Sequence, residues 1–245
     1  MTRTSTTAAA PPAWLWLWAP LAVIPCQFAF AAADSRAGLG AGGPYDVLVA
    51  GEFGAVEVLT AGLLLPAAYL AFQAGRALLK DRDGLPGTLL IAFAFGCLFL
   101  YGEEVSYGQH LFGWRTPEGL AEANTQAETN LHNLEGFDKS LAKWIVIAAM
   151  TLGGIVLPLL ARAGRTPAFT RARWARPLVP TIACLPAAAL ALGAHLAVKV
   201  VAKAAGFRWE EATGVRLSET VELYIALFFV LYAWGADRQV RDERA

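Results

Sequence analysis

The chain has 245 residues, 56% of them hydrophobic and only 16% charged, with 20 Lys and Arg balanced by 20 Asp and Glu. Mean hydropathy is +0.46. A soluble domain carries nearer a quarter charged residues. A net charge of zero argues against a nucleic-acid partner or an acidic substrate recruited by bulk electrostatics.

The apolar residues are bunched. Several windows run about 18 or more residues with almost no charge, long enough as helices to cross a ~30 Å hydrocarbon core. The first window, 14–33, opens with Trp14, Trp16 and Trp18 and ends in an Ala-rich stretch before Asp34. Tryptophan at that end fits an interfacial anchor. A cleaved signal peptide has a related outline but a shorter apolar core, so a retained span is expected.

A Gly- and Ala-rich loop covers 34–50. The second span is 53–75 and runs out at Arg76 and Lys80, followed by a charged turn. The third, 86–102, leads straight into Glu103 and Glu104 and a polar region over 103–140. The fourth is 141–161, then comes a basic loop over 162–176. The fifth is 177–198, and the sixth, 217–235, precedes a short charged tail. No window alternates apolar and polar residues at strand period. In lipid each backbone polar group must be satisfied within its own segment, so these runs are helices. The expected fold class is all-α: an integral-membrane helical bundle with six spans, one domain over 1–245, and a short amphipathic helix within 103–140. Internal repeats are not evident.

With six spans, the two termini and the loops after spans two and four share one side and carry twelve Lys and Arg, against eight on the other. Loops rich in Lys and Arg stay in the cytoplasm. Both termini are therefore expected there, in a multi-pass protein of the cell (inner) membrane, with 103–140 facing outward. Cys26, Cys97 and Cys184 lie far apart inside apolar runs and read as small buried hydrophobes. His195 stands alone in the fifth span and reads as a helix–helix contact. Lys199, about a turn later, can snorkel to the interface. Tyr224, Tyr232 and Trp234 read as an interfacial belt and packing.

The chemistry-bearing residues concentrate after the third span. If its helix continues, Glu103, Gln109 and His110 differ by about two turns and share a face. After Gly113 and Pro117 a second short helix is expected. There Asn124, Glu128 and His132, spaced i, i+4, i+8, would form one stripe. Glu and His one turn apart can chelate a divalent metal, which points to Glu104, Glu128 and His132 as ligands. Glu57 lies inside the second span, and Glu219 and Glu222 begin the sixth. Intramembrane acids usually face a bundle interior or water. The topology brings all these outer ends together, so Glu57, Glu103, Glu104, Glu128, His132, Glu219 and Glu222 are expected to converge. Such a set needs a shared cation or shared protons.

The strings Glu103-Glu104-Val-Ser-Tyr-Gly-Gln109, Phe112-Gly-Trp-Arg-Thr-Pro117 and Asn124-x-Gln126-x-Glu128-x-Asn130-Leu-His132-Asn133 resemble the motifs of a family of uncharacterised bacterial multi-pass membrane proteins. The resemblance covers about 31 residues, with weaker echoes at Glu57, Glu219 and Glu222. Tyr107 and His110 stand where that family's pattern has tryptophan and arginine. It implies a site and no reaction. A second, weaker similarity is to intramembrane glutamate proteases of the CAAX type, through the adjacent glutamates alone. The arginine that should follow is missing, as are the matching histidine helices.

Three functions are consistent with these residues. One is a membrane enzyme acting on a lipid or lipid-linked substrate. In that reading Glu103, Glu104, Glu128 and His132 are catalytic, while Gln109, Asn124, Gln126, Asn130 and Asn133 orient a headgroup. The second is a transporter or proton pathway using the same acids. The third is an assembly protein whose polar loop binds a partner. A metal would make water nucleophilic in the first case.

Overall fold

The structure, a computed structural model, describes residues 11–39, 43–49, 54–124, 127–131, 134–136, 139–165 and 167–244. Among these residues six helices are long and apolar enough to cross a membrane: Trp14–Arg36, Ala55–Lys80, Gly84–Glu104, Leu141–Arg162, Trp174–Ala204 and Leu217–Asp242. Each contains or overlaps one expected span, and most run past it, since polar helix ends meet water and headgroups rather than acyl chains. Among the described residues there is no strand ladder, only an isolated antiparallel bridge between Asn124 and Leu134.

The sixth span is the centre of the bundle. Two-thirds of its apolar window (67%) is covered by the rest of the protein, against 11% for the first span. Its sequence explains this, because Val221, Tyr224, Ala226, Phe228, Leu231 and Ala233 are buried in turn and leave little of its circumference for lipid. Small residues let neighbouring helices close in, as expected where lipid removes the hydrophobic drive for helix association. A Cβ on Gly75 would lie 2.8 Å from the Gly87 carbonyl, so spans two and three touch backbone to backbone. A Cβ on Gly154 would meet the Phe228 ring at 2.5 Å.

The peripheral first span is held by polar bonds. The Tyr224 hydroxyl donates to the Pro20 carbonyl (3.0 Å), and the Thr220 hydroxyl to Gln27 Oε1 (3.0 Å). The Tyr45 hydroxyl also donates to Gln27 Oε1, at 3.3 Å. Tyr45 lies in the first turn of the five-residue helix Pro44–Leu48, in what the sequence presents as a plain loop. Three spans open into wide π turns, Ala197–Val201 in the fifth and, ahead of prolines, Trp14–Trp18 in the first and Thr151–Val156 in the fourth. Pro20 and Pro158 follow at the positions whose rings clash with the Trp16 and Gly154 carbonyls.

Two expectations about single residues change, and the helix–helix contact expected of His195 holds. Tyr224 is fully buried and Tyr232 packs edge-on against Phe93, so both serve packing and neither forms an interfacial belt. Cys97 and Cys184 are buried, but Cys26 is exposed on the outer surface of the first span. His195 is buried edge-on against Trp144, ring centroids 4.3 Å apart, while its Nε2 has no hydrogen-bond partner among the described residues.

Candidate functional site

The third span does not continue through the polar region. Its helix stops at Glu104, and Ser106, Tyr107 and Gly108 take left-handed backbone angles, with φ of 43°, 51° and 86°. That conformation is open to glycine and disfavoured for serine and tyrosine. Side-chain bonds hold the two strained residues, as described below. The reversal folds the Tyr107 ring back against the helix, where a Cβ on Gly102 would meet it at 2.6 Å. A separate four-residue helix, Gln109–Phe112, follows and closes on Gly113, whose φ is 70°. The shared helical face for Glu103, Gln109 and His110 is therefore replaced by a tight turn between them.

The second expected stripe is also absent. The helix Glu118–Ala123 ends where Asn124 turns extended, with φ −107° and ψ 126°. Asn124 has better local partners than a helix offers. Its Nδ2 donates to the Asn130 carbonyl and to Asn130 Oδ1, both at 2.9 Å, and its Oδ1 accepts from the Glu128 amide at 3.2 Å. Asn124 and Glu128 thus lie on a compact loop rather than on consecutive helical turns. His132, together with Gln126 and Asn133, lies outside the described residues.

The loop is knitted to the turn after the third span. The Asn130 Nδ2 donates to Glu128 Oε2 (2.6 Å) and Ser106 Oγ (3.1 Å), and the Ser106 hydroxyl donates to Glu128 Oε2 (3.0 Å). The other Glu128 oxygen sits 3.2 Å from His110 Nε2. Gln109 Oε1 accepts from the Thr129 amide at 2.6 Å and lies 3.0 Å from the Thr116 hydroxyl. The Thr116 hydroxyl is also 2.8 Å from the Ala127 carbonyl and 3.0 Å from the Thr129 hydroxyl. Asn124 and Asn130 are buried, and the network satisfies them from within the chain.

Glu103 and Glu104 part company. Glu103 is buried, and its Oε2 accepts from the Leu131 amide at 2.8 Å, pinning the loop to the end of the third span. It also accepts from the Tyr107 phenol. Desolvation first, then this hydrogen bond and the charge on Glu103, push the Tyr107 phenol up to about 12. A raised phenol favours the folded turn below the unfolded value of about 10. That contribution is lost as pH rises from about 10 through about 12. Alkaline titration of tyrosine absorbance is expected to include a late step near pH 12 that coincides with faster proteolysis of the 103–135 loop. Tyr107→Phe should remove that late step. A variant with an unchanged titration curve would disprove the assignment.

Glu104 faces the other way. Its electrostatic neighbours are Glu222, Glu219, Glu57 and Lys143, from the second, fourth and sixth spans. The Lys143 ammonium donates to Glu222 Oε1 at 2.6 Å, and Glu219 also bonds to Glu222. The expected convergence therefore resolves into two adjoining sets. One gathers Glu103, Gln109, Asn124, Glu128 and Asn130 into a loop architecture. The other collects Glu57, Glu219, Glu222 and Lys143 around Glu104.

Among the described residues, no three His, Cys, Asp or Glu side chains are grouped so as to hold a metal ion. Of the three expected ligands, Glu104 and Glu128 belong to different sets, and His132 lies outside the described residues. Sequence reasoning missed Ser106, Thr116 and Thr129, whose hydroxyls close the loop network, and Lys143, which it used only to orient the chain. The signal for Lys143 was a cation just inside an apolar span, at the same membrane end as Glu57, Glu104, Glu219 and Glu222.

A chain with six such helices is a multi-pass α-helical membrane protein. Comparison with protein families, curated proteins and solved structures finds no match for it.

Proposed function

We propose that the protein is a membrane-embedded enzyme acting on a lipid or lipid-linked substrate by acid–base chemistry at Glu104. The site faces outward from the cell (inner) membrane, with both termini in the cytoplasm, in keeping with the distribution of Lys and Arg. One observation carries the reading: Glu57, Glu219 and Glu222 gather about Glu104 together with one ammonium, Lys143, which bonds Glu222, at the membrane end where headgroups lie. Charged groups are costly in lipid and are retained where they do work.

The roles divide as the contacts do. Glu104 is the acid–base group, because Glu103 is occupied in holding the loop. Lys143 fixes Glu222 and supplies the positive charge that an anionic headgroup needs. Glu128, Asn124, Asn130 and Gln109 position the loop over the site. Surface chemistry is favoured over a proton or ion path. On the central sixth span no ionisable side chain except tyrosine lies between Glu222 and Asp237, so no ladder of charges follows that helix inward.

The test uses purified protein in nanodiscs of mixed lipids, with headgroup loss or transfer followed by mass spectrometry. Wild type should turn over one lipid class. Glu104→Gln should slow it at least about 100-fold, the lower end of what general acid–base groups contribute. Melting of that variant should be unchanged. No turnover by the wild type, or equal rates in the two proteins, would sink the proposal. Rates with and without a chelator decide whether a divalent metal takes part.

A further inference from the structure

We infer that the opposite end of the bundle carries a binding site for the headgroup of an anionic phospholipid, in a groove between the last turns of the second and sixth spans. The groove has a volume of about 300 Å³ and is lined by Gln73, Arg76, Lys80, Asp237, Arg241 and Arg244. Its shape is set by two ion pairs. Arg241 Nε donates to Asp237 Oδ2 at 2.7 Å, and Asp237 is itself buried, so this pair forms a fixed wall. Arg244 grips Asp81 with two bonds, of 2.7 and 2.9 Å, and also donates to the Ala77 carbonyl. That clamp ties the end of the sixth span to the turn after the second.

These pairs use the two available acids on two of the four cations. Arg76 and Lys80 are left, one turn apart on the second span, with no acidic partner among the described residues. Arg76 lies over the Phe72 ring, its guanidinium carbon 5.6 Å from the centroid, which holds the charge at the boundary between acyl chains and headgroups. A guanidinium and an ammonium on one rim match a phosphate ester, since arginine offers paired donors and lysine a point charge. The ligand chemistry is a phosphate monoanion. Its source is the bilayer, because the groove opens where the spans leave the apolar layer. This is also the end with more Lys and Arg, which faces the anionic leaflet. Zwitterionic lipid is disfavoured because its own ammonium already compensates the phosphate.

The experiment titrates the full-length protein in detergent with short-chain phosphatidylglycerol, phosphatidylcholine or inorganic phosphate, and reads bound lipid by native mass spectrometry. Phosphatidylglycerol should bind at least about tenfold more tightly than phosphatidylcholine. The double variant Arg76→Gln/Lys80→Gln should lose about thirtyfold in phosphatidylglycerol affinity, the effect of two cations at an anionic surface. A control of equal charge change on the same side, Arg162→Gln/Arg165→Gln, should bind as wild type does. Equal loss in both double variants would mean general surface charge and would overturn the site. So would equal binding of the two lipids. Displacement of phosphatidylglycerol by millimolar inorganic phosphate would make the ligand a free anion and overturn the lipid assignment.

Discussion

Asn130→Asp is expected to be the most damaging single-atom change in the outer loop. The Asn130 amide donates to Glu128 Oε2 at 2.6 Å and to Ser106 Oγ at 3.1 Å, and the residue is 1% exposed. Exchanging that NH₂ for a carboxylate oxygen sets a buried acid against the half-buried Glu128 and removes the donor between them. An uncompensated buried charge costs about 3–5 kcal/mol. Asn130→Ala removes the same donor without adding charge and should cost less, about 1–3 kcal/mol for each polar group left unsatisfied. The expected order of thermal stability is wild type, then Ala, then Asp. Proteolysis of the segment around 118–135 should rise in the same order. Acid should help the Asp variant alone, because the introduced carboxyl regains a donor when protonated. If Asp and Ala variants melt together at neutral pH, the loop is not organised around this amide.

The second large effect is expected at Lys143. Lys143→Met keeps the length of the side chain and removes the cation that, among the described residues, neighbours Glu104. Glu222 then loses its 2.6 Å partner, and four acids remain at one end of three packed spans. Removing one member of a largely desolvated pair costs about 3–5 kcal/mol, mostly from the charge left behind. The Lys143 and Glu222 side chains are 18% and 33% exposed, so solvent screening should bring the loss to the lower part of that range. Adding Glu222→Gln should restore much of the lost stability, a coupling that a double-mutant cycle measures directly. The double variant should nevertheless stay inactive, since the positive charge is still missing. Simple additivity of the two single effects would show that the pair is incidental.

The membrane class, the six spans and their order were legible because lipid leaves few choices. A window such as Leu217 to Ala236 is too long and too apolar for anything but a spanning helix. The sequence likewise marked Glu103 to Asn133 as the polar region of interest, because polar residues crowded beside a span are conspicuous. The internal structure of that region was not legible. Periodicity suggested a helix through His110 and another through Glu128. Local competition overrode it: the Asn124 and Asn130 amides bond to backbone and to each other, and the Tyr107 ring tucks against Gly102 through three left-handed residues. Such turns depend on partners 20 or more positions away in the chain, as the bond from Leu131 to Glu103 illustrates.

The sequence by itself therefore determined that this chain lives in a bilayer as a helical bundle, and that its ionisable groups gather toward the membrane ends. Hydrophobic length is a local property, readable within one window. Tertiary structure alone decided which acid does what. Glu103 and Glu104 are neighbours in sequence, yet one helical step of about 100° points the first at the loop backbone and the second at Lys143 and the acids of other spans. That division depends on how the spans rotate against one another, and close contacts such as Gly75 on Gly87 and Gly154 on Phe228 fix the rotation.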